Sequence, residues 1–399
     1  MFLKFNYIWK TILFSIIFLL LSFSSNLKGI NLGFIELFPA RIIVFGWLIY
    51  SIFSGKIREF SNLTSPMLIF FLWGLLLTVI NFNIQSLTSL LVYMTSFITM
   101  LMYASFVNNE DDISCLCTAI LLNLVIQALL GVRESFTGEY LYVTYENYAR
   151  QFNDFGLNMP KTAFFNVNNY AVYCILCLPF ISMCKTTIFK TNIVSFLGYL
   201  LGCIAIIFTS SRTGLLCIAL YFLLYFYLNI YKRKNNELLK FFILITAFLL
   251  VLIFSVYISQ FIDLILPSGN VSEEDRLPIW RNYIAVCFNN FLIYGEPGRS
   301  TALLKNFVGN DIPPHCMFLE ILVEYGIIGL ICILYIIKTL KPNRKNNRSI
   351  FYRNVSSIFL CIFLICSICP STMGGCYYLW AMFGIIYSLN NKQILKNNI

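Results

Sequence analysis

Long apolar runs alternate along this chain with short polar connections, and the runs have the length of a bilayer crossing. A transmembrane helix needs about 20 mostly apolar residues. Runs of that kind begin near Thr11, Ile35, Pro66, Ser86, Ile113, Asn168, Ile193, Gly214, Leu238, Cys316, Ile350 and Tyr377. They predict an all-α polytopic membrane protein with about twelve transmembrane helices, read as a single membrane domain over 1–399. The first run is too long, and too poorly supplied with a cleavage site, for a removable signal peptide, and another span follows it at once.

Charge gives the runs a direction. With Lys4 and Lys10 in the cytoplasm, strict alternation puts about 18 of the 28 Lys and Arg residues on cytoplasmic connections, among them Lys56, Arg58, Lys232, Arg233, Lys338, Lys341 and Arg353. Both termini are therefore expected inside. The connection at Glu110, Asp111 and Asp112 brings no base, but acidic residues weigh little in this rule. Two long segments fall outside, 133–165 and 260–315, and the short turn Ser210–Thr213 sets Arg212 at the outer membrane edge.

Composition agrees with this class. The 399 residues are 59% hydrophobic and 12% charged, with mean hydropathy +0.78, against roughly 25% charged in soluble domains. A net charge of +10 raises nucleic acid as a partner, but the basic clusters sit between apolar runs, so membrane lipid is expected and nucleic acid is not. Most of the 14 cysteines lie inside apolar runs, where cysteine behaves as a small hydrophobe.

The candidate chemistry lies in the two external segments. The first interleaves Phe136, Tyr140, Tyr142, Tyr145, Tyr148 and Phe152 with Glu134, Glu139, Glu146 and Asp154. Aromatic faces beside acids suit a sugar surface, and an interfacial aromatic belt has the same composition. In the second, Arg276 and Trp280 stand four apart, on one helical face. Gly295, Pro297 and Gly298 then break the chain before Arg299. Arginine suits phosphate because its planar fork donates paired hydrogen bonds; snorkelling to headgroups is the plainer role. His315, the chain's one histidine, follows Pro313 and Pro314 where the chain re-enters the membrane, placed as a general base would be. Glu320 and Glu324 lie just below it on one face, and Gly326 and Gly329 allow close approach by a neighbouring helix.

These residues resemble four motifs of the O-antigen ligase and O-antigen polymerase superfamily of bacterial membrane glycosyltransferases, in the family's order, within a core at 164–330. Phe164-Phe165-Asn166-Val167-Asn168-Asn169-Tyr170-Ala171 is similar to F-x-N-P-N-D-F-A, and Ser211-Arg212-Thr213-Gly214 to S-R-T-G. Arg276 through Trp280 to Gly295 and Gly298 is similar to R-x-x-x-W…G-x-x-G. The stretch from His315 through Leu319, Leu322, Glu324 and Gly326 to Gly329-Leu330 resembles H-N-x-x-L-x-x-L-x-E-x-G-x-x-G-L. Val167 stands where the family usually has proline, and Cys316 where it usually has asparagine. On this reading the first third of the chain contributes topology only.

The resemblance implies a GT-C-like fold in the bacterial cytoplasmic membrane, with its active site on the external face. It also implies transfer of a glycan from a polyprenyl-diphosphate-linked oligosaccharide donor to a glycan or lipid-linked acceptor, with inversion and without cofactor or metal. Arg212 and Arg276 would hold the diphosphate, and His315 would take the acceptor's proton. Asn166, Asn168, Trp280, Arg299, Glu324 and Lys161 are implied in substrate binding. A polymerase of surface glycan, such as O-antigen or capsule, is favoured over a ligase that acts on lipid A-core, cell-wall polymer or protein. A lipid-linked oligosaccharide flippase is the reading from a different class. It is disfavoured because the notable charges gather at the external edge rather than at mid-membrane.

Overall fold

A computed structural model describes residues 2–23, 30–31, 36–141, 156–164, 166–184, 191–228, 276–290, 292–308, 313–342, 350–368 and 373–391. Among these, the chain forms α1 (Phe2–Ser22), α2 (Pro39–Phe53), α3 (Ser61–Asn81), α4 (Ile84–Phe106), α5 (Glu110–Thr137), α6 (Val167–Ile181), α7 (Thr191–Phe208) and α8 (Arg212–Phe226). Then come α9 (Arg276–Asn289), α10 (Ser300–Val308), α11 (Met317–Thr339), α12 (Ile350–Cys366) and α13 (Tyr377–Asn391). A two-residue antiparallel pair, Ile30–Asn31 with Glu36–Leu37, is the described extended structure.

The molecule is a helical membrane protein. Four helical stretches are long and apolar enough to cross a bilayer: Lys56–Asn81, Ile84–Phe106, Glu110–Thr137 and Met317–Thr339. Shorter apolar helices lie at α1, α2, α6, α7, α8 and α12. Helices stand at eleven of the twelve expected positions, and the run from Leu238 lies outside the described residues. The segment expected as the second long loop contains two helices, α9 and α10.

Local signals start these helices where the apolar runs begin. Side-chain oxygens of Asn83, Asn109, Asn166 and Ser211 accept backbone N–H groups at the starts of α4, α5, α6 and α8, satisfying donors that the first turn leaves open. At the centre, α13 is buried along nearly its whole length against α4, where Gly384 lets the two backbones meet. Aromatic edges fill this core, with Trp380 against Phe97 at 5.2 Å and Phe383 against Phe363 at 4.8 Å. The outer face of α3 is also apolar, exposing Leu68, Ile69, Leu72, Val79 and Ile80. A helix apolar on both faces suits lipid as its outer neighbour.

Contacts sort the helix ends into two groups. At one end, Lys10 of α1 pairs with Asp112 of α5 at 2.8 Å, and Asn390 of α13 donates to Leu340 O beyond α11. There too Asn354 of α12 donates to Leu228 O, past the end of α8. Lys56 and Arg58 between α2 and α3, Lys338 and Lys341 at the end of α11, and Arg353 at the start of α12 belong to this end by position. The acidic connection that carried no base is thus met by a lysine from α1. All four motifs lie at the other end.

Candidate active site

The motif end is built by four short stretches, each with its own local logic. In the first, Phe164 packs against Tyr173 at 5.0 Å and Tyr378 at 5.5 Å, which fixes the chain just before α6. The Asn166 carboxamide oxygen then accepts the Asn168 N–H at 2.7 Å as the cap of α6. Asn168 lies in the first turn of α6 and is half-buried.

The second stretch turns from α7 into α8. Ser211 Oγ accepts the Gly214 N–H at 3.3 Å, and a side-chain carbon on Gly214 would sit 3.3 Å from Ala171 Cβ of α6. The serine therefore caps, the glycine lets α8 meet α6, and Arg212 is left exposed at the first residue of α8. A cation at the positive end of a helix dipole is electrostatically misplaced unless an anion joins it.

The third and fourth stretches form one unit. Trp280 of α9 donates from Nε1 to Pro314 O at 2.7 Å, tying α9 to the residue before His315. His315 has φ 48°, in the left-handed region. The Met317 N–H donates to Ser367 O at 2.9 Å, which anchors the start of α11 to the end of α12. Arg276 begins α9. Past α9, the chain folds back on α11 at a break. Gly326 has φ 64° and ψ −170°, and the Ile327 N–H freed there donates to Leu292 O at 2.7 Å. Trp73 of α3 donates to Tyr325 O at 2.8 Å. Each of these backbone groups is met from outside the helix, as a stable break requires.

Glu324, 5% exposed, occupies the heart of this junction. Its Oε2 accepts the Gly298 N–H at 2.9 Å and the Ser89 hydroxyl of α4 at 3.3 Å. Gly295 packs directly on the Glu324 carbonyl, and Gly298, at φ 70°, leaves no room for a side chain against Gln85 O. Asn81 of α3 holds the same loop by donating to Gly295 O at 3.1 Å, and its carboxamide oxygen accepts from Tyr294. The structure thus explains the spacing of G-x-x-G and E-x-G together. The two glycines of the loop and the glycine of the helix are the points where the two backbones touch. Gly329 opens toward Phe70 of α3, the close helix approach expected of it, whereas Gly326 admits a loop instead.

Two further residues flank the motifs. Arg299 pairs with Glu296 at 2.8 Å, three residues before it. Lys161 lies with its Nζ 5.4 Å from the centre of the Tyr140 ring, and partial burial makes it give up its proton more readily, against the pull of Glu134. Glu134 itself, 1% exposed, accepts backbone N–H groups from Leu141, Lys161 and Thr162 at 2.8–3.0 Å. It gathers both ends of the first loop. Tyr142, Tyr145, Glu146, Tyr148, Phe152 and Asp154 of that loop lie outside the described residues.

Sequence reasoning missed the part played by the first third of the chain. Trp73, Asn81, Gln85 and Ser89, from α3 and α4, form the seat on which the third motif rests. The only local signal there was the polar turn Asn81-Phe82-Asn83 between two apolar runs. Among the described residues, no three metal-ligating side chains gather.

A family model described as O-antigen ligase (Wzy_C) matches residues 197–334, which takes in α8 to most of α11 and hence the last three of the four motifs. No curated protein matches the chain. The family match, over the stretch that builds the motif end, supports the O-antigen ligase and polymerase superfamily that the residues resemble.

Proposed function

We propose that this protein polymerises a surface polysaccharide, such as O-antigen or capsule, by joining polyprenyl-diphosphate-linked repeat units on the outer face of the cytoplasmic membrane. One observation carries this reading: all four motifs lie at one end of the bundle, opposite the end that holds the Lys10–Asp112 pair with Lys56, Arg58, Lys338, Lys341 and Arg353. With twelve spans and both termini in the cytoplasm, the motif end faces outward.

In this mechanism the acceptor hydroxyl of one repeat unit attacks the anomeric carbon of another. A new C–O bond forms as the bond from that carbon to the diphosphate oxygen breaks, with inversion. His315 takes the proton from the hydroxyl, and the leaving diphosphate keeps the bonding electrons. Arg212, exposed at the start of α8, and Arg276, at the start of α9, supply fixed positive charge where the diphosphate's charge develops. Arg299, Lys161, Asn166, Asn168 and Trp280 line or support the same end.

A second reading, in which the acceptor is lipid A-core, a cell-wall polymer or a protein, shares this chemistry, and the family match fits both. The test is the surface glycan of a deletion strain complemented with wild type, His315→Ala or Arg276→Ala, each checked for membrane expression. Single carrier-linked units in the deletion and both variants, with long chains restored by wild type, support the polymerase. Long carrier-linked chains that never reach a final acceptor identify a ligase. Full complementation by both variants overturns the site and brings the flippase forward.

A further inference from the structure

We infer that Glu324 is a positioning residue: its carboxylate clamps the Gly295–Gly298 loop onto the α3–α4 hairpin and so sets α9 over His315. The inference rests on the transferase reading above and adds a residue that acts through backbone rather than on substrate.

The described hydrogen bonds to this carboxylate come from the Gly298 N–H and the Ser89 hydroxyl. These donors belong to the loop and to α4, so one side chain of α11 ties two separate pieces of chain to its own helix. A buried carboxylate is costly unless its oxygens are satisfied, and here the loop and α4 supply the donors. The loop is the direct continuation of α9. At its near end, Trp280 of α9 holds Pro314, next to His315. At its far end, Leu292 is bonded to the break in α11 and Gly298 to Glu324. The segment that begins at Arg276 and the base at His315 are therefore registered to each other through Trp280 on α9 and, along the loop, through the bonds at Leu292, Gly295 and Gly298, the last made by Glu324. Loss of the Glu324 carboxylate loosens the Gly298 end of the loop without removing any helix from the bundle, because the membrane core is formed by other contacts.

The experiment uses the full chain in detergent, as wild type, Glu324→Ala, Glu324→Gln and Ser89→Ala. Amide hydrogen exchange is measured without substrate, and transfer with a polyprenyl-diphosphate-linked repeat unit as donor. Glu324→Ala is expected to speed exchange over residues 294–300 by about tenfold or more while the α4 and α13 amides stay unchanged. In the same variant kcat falls by about 100-fold, with KM held within about threefold, because a displaced cation misaligns the reaction more than it weakens a lipid-anchored donor. Glu324→Gln, which keeps one carbonyl oxygen for Gly298, falls between wild type and alanine. Ser89→Ala moves both readouts in the same direction but less. Unchanged loop exchange in Glu324→Ala overturns the clamp. Faster exchange with unchanged kcat shows that loop position does not serve catalysis and overturns the positioning role. A raised KM with unchanged exchange overturns it in favour of direct contact with substrate. A wild-type protein with no transfer activity sinks the transferase reading alone, since the exchange arm still tests the clamp on the unliganded chain.

Discussion

Gly326 shows how much of this site depends on single backbone positions. Its φ of 64° with ψ −170° belongs to a region that only glycine occupies without strain, and a β-carbon there would meet the Ile293 carbonyl. Gly326→Ala is therefore expected to straighten α11 and expel the loop. Long-chain product on a gel ladder should fall more than about tenfold while membrane expression is kept. At Lys161 the prediction concerns pH. A lysine binds an anion only when protonated, so its contribution is present below its pKa and lost above it. Burial lowers that pKa, so donor affinity should fade at a lower pH than an exposed lysine would impose. Lys161→Arg should move that alkaline loss upward, read as KM against pH. Glu134 is a caution at the same scale: an acid in an aromatic-rich loop resembles a sugar ligand by type, and its three backbone bonds show a fastener.

Among elements, α8 makes a prediction of opposite signs. Arg212 opposes the positive end of its own helix, so Arg212→Ala should leave stability equal or raise it by roughly 0.3–1 kcal/mol. The same change should lower transfer by about 100-fold if the arginine meets the diphosphate. A melting curve in detergent and a turnover assay, taken together, separate the two. For α9, Trp280→Phe removes the bond to Pro314 O and keeps the ring, and should lower turnover by about fivefold, in line with one hydrogen bond of roughly 1 kcal/mol. Elements were also the most legible part of the sequence. Asn83, Asn109, Asn166 and Ser211 cap helices because capping needs only neighbours two or three residues away. Apolar runs located the helices for the same reason. The loop clamp was not legible, since Glu324 and Ser89 are 235 residues apart and nothing near either names the other. Gly295 and Gly298 carried a visible motif, but the surface that demanded glycine was on α4 and α11.

For the whole molecule, the sidedness read from the charges is a proposal about which end of the bundle faces the cytoplasm. The Lys10–Asp112 pair accounts for the connection that the basic residues left unmarked. A reporter enzyme active only outside the cytoplasm, fused after Thr209, should be active, and one fused after Asp111 should be silent. The reverse result would turn the protein over and end the proposal that the motif end faces the lipid-linked donor outside.

The bonds that complete the motif end span long stretches of chain: 252 residues from Trp73 to Tyr325, 235 from Ser89 to Glu324, and 214 from Asn81 to Gly295. The hairpin that receives the loop is made before the loop, and the junction is incomplete until α11 supplies Glu324 and Tyr325. A ribosome working from the N-terminus thus builds the receptacle long before the part that fills it. A chain cut short before Tyr325 never closes the junction. Competence then arrives with α11 and not in stages before it.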